Sequence, residues 1–207
     1  MTFRDNRINE LFMVSLDLFA AYGYKKTTLD DVAGKLGMTK GNIYYYFENK
    51  QDLYEKTIEY ALTQWKDSVG AAVSGRIGTV DRFRTMAMAS MEYVEQHPSL
   101  RRVLVNDPTI FTLSPDEDRF FEINRSSRHM LRAILEKGMA EGVFYAMDLD
   151  SVTEYLFSVY IMFLIKTYVK SHTGPSGAMF TAALELTLRG LVRGDAGTQP
   201  DFKGDFP

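Results

Sequence analysis

Between positions 39 and 50 the chain reads Thr-Lys-Gly-Asn-Ile-Tyr-Tyr-Tyr-Phe-Glu-Asn-Lys, a concentration of groups suited to a nucleic-acid surface. In a helix of about 100° per residue, Ile43 and Phe47 share one face and point into a small core. Gly41, Asn42, Tyr44 and Tyr45 then lie on the opposite face, with Lys40 at its edge and Tyr46 on the other flank. Asn42 can contact a base edge and is a natural bidentate partner for adenine. Tyrosine hydroxyls donate to phosphate, and their rings pack against sugar or a thymine methyl. Lys40 and Lys50 can neutralise phosphates, and Gly41 lets a backbone come close to DNA. Thr28 and Thr39 sit at helix starts, where free N–H groups attract phosphate. Tyr46 fits a half-buried position equally well, since one of three adjacent helical tyrosines usually turns inward.

Helices must hold these residues, because no run alternates with period two while several carry 3–4 spacing. Ile8, Leu11, Phe12, Ser15, Phe19 and Tyr22 form one stripe, which Gly23 stops. Thr28-Leu-Asp-Asp31 is a capping box with Asp for Glu, opening a short helix that turns Val32, Ala33 and Leu36 inward. Gly37 ends it, Thr39 caps a helix over 40–47, and Asn49-Lys-Gln-Asp52 opens a long one with the stripe Leu53, Thr57, Tyr60, Ala61 and Gln64. The two short helices around Gly37 form a helix-turn-helix over about 28–47. Further helices are predicted at about 80–96, 99–106, 116–141, 149–172 and 176–193. The fold class is therefore all-α. An N-terminal three-helix domain with the helix-turn-helix (1–50) is linked by a long helix to a C-terminal helical domain (51–193), and 194–207 reads as a loose tail.

Composition narrows the chemistry. There are no cysteines in the 207 residues, which excludes disulfides, thiolate metal sites and cysteine nucleophiles and fits a cytoplasmic protein. His97, His129 and His172 have no metal-ligand spacing, and no nucleophile-elbow, phosphate-loop or zinc-protease motif occurs. An enzyme, a cofactor and a metal are thus not expected. The apolar stretch from Tyr155 to Ile165 falls short of the ~20 residues that span a bilayer, so no membrane partner is expected. The net charge is -3, and residues 1–60 hold eight Lys/Arg against nine Asp/Glu. Affinity for DNA must therefore come from local placement of Lys25, Lys26, Lys35, Lys40 and Lys50.

Residues 15–60 resemble the N-terminal domain of the TetR family of bacterial regulators. The runs that carry the likeness are Ala20-Ala-Tyr-Gly-Tyr24, Thr27-Thr-Leu-Asp-Asp-Val-Ala33, Leu36-Gly-Met-Thr-Lys-Gly-Asn-Ile-Tyr-Tyr-Tyr-Phe47 and Asn49-Lys-Gln-Asp-Leu53. The spacing between the four pieces matches too, over about a quarter of the chain. The resemblance implies that Gly41 to Phe47 is a recognition helix. DNA contact then falls to Thr28, Thr39, Lys40, Gly41, Asn42, Tyr44, Tyr45 and Lys50, with Tyr46 standing where the family often has His. It further implies a homodimer on double-stranded palindromic operator DNA, paired through the last two long helices, and repression relieved by a small-molecule effector.

Beyond residue 60 the evidence is periodicity alone. Helix 80–96 offers Phe83, Met86, Ser90 and Met91, and helix 116–141 the stripe Phe120, Asn124, Ser127, Leu131, Ile134 and Leu135. Polar groups on an inward stripe either bond other core groups or face a cavity. Phe83, Met86, Ser90, Met91, Phe120, Asn124, Ser127 and Leu131, with Tyr160, are the candidate pocket, and the absence of a Lys/Arg cluster on these stripes favours an apolar or aromatic ligand. Residues 155–169 are apolar on nearly every side, so that helix must bury two faces. Leu156, Val159 and Phe163, with Phe180, Ala183, Leu184, Thr187 and Leu191 of the last helix, are the candidate dimer surface. A DNA-binding regulator whose C-terminal domain only dimerises remains the alternative; a solid interior would distinguish it from a sensor.

Overall fold

The computed structural model describes residues 3–112, 114–169 and 177–194. The expected tail from residue 195 onward, His172 and the break at 173–175 lie outside the described residues. Nine α-helices follow in order among those described: α1 Phe3–Lys26, α2 Leu29–Lys35, α3 Lys40–Tyr44, α4 Lys50–Ser74, α5 Thr79–Gln96, α6 Pro98–Asn106, α7 Phe121–Ala140, α8 Leu149–Leu164 and α9 Gly177–Leu191. A π-helical turn, Ile165–Val169, continues α8. Short 3-10 turns at Pro108–Ile110 and Pro115–Glu117 lie between α6 and α7. The described residues contain no strand, only an isolated bridge between Phe144 and Val192.

The N-terminal unit is built from local signals. Gly23 breaks α1 with φ +77°, and one turn, Tyr24 to Lys26, continues past the kink. Leu11, Ser15 and Phe19 face inward as the stripe requires, but Tyr22 is exposed. Gly37, at φ +62°, makes the left-handed turn between α2 and α3, a conformation that side chains with a Cβ disfavour. Leu29, Val32, Ala33, Ile43 and Phe47 then close against α1.

Helix α4 runs from this unit into the rest of the molecule. Its buried face is Leu53, Tyr54, Thr57, Ile58, Ala61, Leu62, Trp65, Val69 and Val73. Gln64, placed on that stripe by sequence, is exposed; Trp65 turns inward in its place. Helix α7 starts at Phe121 rather than 116. Both Asp118 carboxylate oxygens accept from the Asn124 amide nitrogen at 3.0 Å and one also accepts from Phe120 N–H, which ties the segment before the helix to its first turn.

Candidate nucleic-acid interface and interior cavity

Helix α3 ends at Tyr44 rather than Phe47, with Tyr45 and Tyr46 in a turn, but the segment 40–47 divides into two faces as its sequence requires. Ile43 is fully buried and Phe47 is 2% exposed, while Lys40, Gly41, Asn42, Tyr44 and Tyr45 are all exposed. Tyr44 and Tyr45 are 51% and 72% exposed, unusual for large rings in a small unit that could have packed them. Tyr46 is half-buried, its ring 5.2 Å from Tyr45 and 6.3 Å from Phe47. Gly41 has ordinary helical geometry, and a Cβ there would meet only the Thr39 hydroxyl at 3.7 Å. Nothing inside the protomer requires glycine, although glycine weakens a helix.

Four of the expected DNA contacts, Thr28, Thr39, Asn42 and Lys50, bond within the fold, and Lys40 is paired. Thr28 and Asp31 form a reciprocal capping box, and hydrogen bonding with Thr28 holds the Asp31 carboxyl below its usual range despite slight desolvation. Thr39 and Asn42 form a second box in which Asn42 Oδ1 accepts from both the N–H and the hydroxyl of Thr39. That occupies the two lone pairs of the amide oxygen. Asn42 therefore has only its –NH2 to offer a base while the box is closed, and bidentate reading of adenine requires the box to open. Lys50 was expected on phosphate, yet its ammonium donates to the carbonyls of Tyr24 (2.9 Å), Thr27 (3.2 Å) and Lys25 (3.4 Å). It satisfies the orphan carbonyls at the end of α1 and lies 4.5 Å above the Tyr24 ring. Lys40 pairs with exposed Asp30 at 2.8 Å, and the bond and charge of Asp30 raise its pKa.

Behind α4 lies a cavity of about 150 Å³, walled by α4, α5, α7, α8, α9 and Ile110–Phe111. Of the candidate pocket residues, Phe83, Met86, Ser90, Asn124, Ser127, Leu131 and Tyr160 line it. Met91 and Phe120 do not. Met91 is buried one position round the helix from Ser90, about 100° away. Phe120 precedes α7 and is buried beside the Arg119 guanidinium, 5.4 Å from its ring. The candidate dimer residues Leu156, Val159, Phe163, Phe180, Ala183, Leu184 and Thr187 also line the cavity, and Leu191 is buried. The physical reason is that α8 and α9 turn their larger apolar faces toward the interior. Their exposed apolar side chains are Tyr155, Met162 and Leu186, at 64%, 52% and 69%.

The wall's neutral polar groups bond mostly to their own neighbourhood. Ser127 donates to the Ile123 carbonyl and Thr187 to the Ala183 carbonyl. Trp65 Nε1 donates to the Ser90 carbonyl at 3.0 Å, and the Ser90 and Tyr160 hydroxyls lie 2.6 Å apart. Lys66 on the wall pairs with Asp67, which is largely exposed. The described residues hold no cluster of acidic or histidine side chains fit for a metal. His97 stacks on Tyr93 and His129 is exposed.

A knot of side chains missed by sequence reasoning joins α4 to the segment before α7. Arg119 donates to Asp107 (3.0 Å), Thr109 (2.8 Å) and Glu55 (2.7 Å), and the Tyr54 hydroxyl donates to Asp107 at 2.8 Å. Burial alone would raise the Asp107 pKa, but bonds from Thr109, Tyr54 and Arg119 outweigh it and hold the carboxyl below its usual range. Burial, with the bond to Asp107, pushes the Tyr54 phenol well up.

Residues 13–57 match the family model described as bacterial regulatory proteins, tetR family. Among curated proteins, the HTH-type transcriptional repressor KstR2 of Mycobacterium tuberculosis is 24% identical over 157 residues, 74% of this chain and 76% of that protein. The HTH-type transcriptional regulator YhgD of Bacillus subtilis is 25% identical over 174 residues, 84% of this chain and 90% of its own length. Among solved structures, the regulator FadR of Bacillus subtilis in complex with stearoyl-CoA superposes with a TM-score of 0.72 at 16% identity, covering 88% of this chain and 98% of that one. These proteins are transcriptional regulators, not enzymes.

Proposed function

We propose that this chain is a transcriptional regulator of the tetR type, whose family model residues 13–57 match, and that it acts as a cytoplasmic, homodimeric repressor released from a palindromic operator by a small apolar or aromatic effector. The observation that carries the DNA reading is the division of the segment 40–47, with Ile43 and Phe47 sealed inside and Lys40, Gly41, Tyr44 and Tyr45 turned to solvent. The unneeded Gly41 supports close approach of a DNA backbone. Thr28 and Thr39 contribute by fixing the N-termini of α2 and α3, whose free N–H groups suit phosphate. Asn42 contributes through its –NH2, and Lys50 by clamping α1 to α4. Tyr46 supports the face from its flank.

Residues 1–50 are the DNA-binding part and 51–193 the sensing and dimerising part in this reading. A two-fold dimer would present two α3 helices to half-sites about one helical turn, ~34 Å, apart. Tyr155 and Met162, seven residues apart on α8, and Leu186 on α9 supply the outward apolar face for pairing. The cavity favours a sensor over a plain dimeriser. It has the volume of a benzene-sized site, so a larger ligand must displace Met86 or Met130, whose flexible side chains can yield. A polyanion has no partner on its wall beyond Lys66, already paired. Ligand would bias a state in which α4 carries the recognition helices out of register, by no more than its differential affinity for the two states.

The test is selection of random duplexes by the purified full chain, with sedimentation at micromolar concentration. An enriched inverted repeat and a dimer are expected. Unenriched sequence, or a monomer, would overturn the operator model.

A further inference from the structure

The cavity wall holds one polar feature that its neighbours do not satisfy. Ser90 on α5 and Tyr160 on α8 bond each other at 2.6 Å, and neither hydroxyl has another partner among the described residues. Two hydroxyls carry two hydrogens and their mutual bond uses one. Whichever donates, one O–H hydrogen remains, in a cavity whose lining also includes Phe83, Met86, Leu131, Phe157 and Leu164. An unpaired donor in such surroundings is destabilising. The other neutral polar side chains of the wall have their hydrogens committed: Asn124 to Asp118, Ser127 to Ile123 and Thr187 to Ala183.

We propose that the Ser90–Tyr160 pair is the reading point of the cavity, donating its spare hydrogen to one carbonyl or hydroxyl oxygen of an uncharged, ring-sized ligand. This deepens, and rests on, the reading of the cavity as the effector site. An anion is disfavoured because a buried charge needs a partner and Lys66 is engaged by Asp67. Burial raises the Tyr160 pKa more than the Ser90 bond lowers it, so the phenol stays protonated. The bond also reaches α4, because the Ser90 carbonyl accepts from Trp65.

The probes are acetophenone and α-methylstyrene, which share a shape and differ by O against CH2. Dissociation constants are measured by ligand-observed NMR on the full chain, for wild type and for the double variant Ser90→Ala/Tyr160→Phe. Each single variant keeps one donor, so the double variant is required, and replacing both partners by apolar groups keeps the fold. The ratio of the two constants is the readout, which cancels differences in hydrophobicity. The ratio is expected to shift against acetophenone by about five- to tenfold in the double variant. A second readout needs no variant: the carbonyl infrared stretch of acetophenone moves to lower frequency on binding wild type. An unchanged ratio, or an unshifted stretch, overturns the hydroxyl pair while leaving the cavity as a site. Failure of both probes to bind wild type overturns the cavity reading and the pair with it.

Discussion

The helix-turn-helix and the cavity region place their polar groups differently. In the first, Thr28–Asp31, Thr39–Asn42 and Asn49–Asp52 each close within three residues, so the unit is fixed by its own helix ends. In the second, Ser127 and Thr187 also close locally, but the bonds that tie helix to helix span the chain: Trp65 to Ser90 and Ser90 to Tyr160 at the cavity, and Tyr54 to Asp107 and Arg84 to Glu185 outside it. Local closure leaves a small unit whose outer face is exposed to solvent. Distant closure makes the shape of the interior depend on how five helices settle against one another, which is what a sensor that must switch requires.

Three substitutions probe that contrast in descending order of effect on stability. Phe47→Ala should remove about 3–5 kcal/mol and abolish operator binding, read by urea unfolding and gel shift; a mild effect would mean that α3 is not held by its inner face. Thr39→Ala should cost about 1 kcal/mol as a lost cap. It also frees one of the two lone pairs of the Asn42 oxygen, the backbone N–H of residue 39 keeping the other, so sequence preference should change more than overall affinity; an unchanged preference argues against Asn42 as a base contact. Arg119→Ala breaks partly exposed bonds and should cost less than about 1 kcal/mol, but NMR titration should find the Asp107 pKa raised. The sign follows from linkage. A carboxyl depressed in the folded state contributes stability that is present above its unfolded pKa of about 4 and lost as pH falls through its folded value. Wild type should therefore keep the knot at neutral pH and lose it only in acid, and the variant should lack that acid-side contribution. An Asp107 pKa unchanged by the substitution would mean that Arg119 is not its partner in solution.

How much could be read beforehand follows the same division. The caps, the left-handed turn at Gly37 and the inward pair Ile43/Phe47 are legible because each is a matter of three or four residues. The closing of Asn42 onto Thr39 was equally legible: Thr39-x-x-Asn42 repeats the spacing of Thr28-x-x-Asp31. Lys50 capping the carbonyls of Tyr24, Lys25 and Thr27 was not, since it depends on how α1 meets α4. The apolar girth of α8 announced two buried faces without saying which face met the cavity. Periodicity assigns residues to faces, and only packing assigns faces to partners. Phe163 and Leu184 consequently went to the dimer surface in the sequence reading and to the cavity wall in the fold. The Arg119 knot has no local signature at all, because its members come from α4 and from two turns between α6 and α7.

The central claim is that the outer face of α3 reads DNA, its contacts within the chain being exposed ones such as the Lys40–Asp30 pair that add little to stability. It is tested by the salt dependence of binding to the selected duplex, for wild type and for Lys40→Ala/Tyr45→Ala, beside their melting curves. Closely similar melting is expected, because the lost Lys40–Asp30 pair is exposed, with weaker binding at every salt concentration and a log–log salt slope reduced by about one for the lost lysine. Equal affinity and slope with matched melting would contradict the claim.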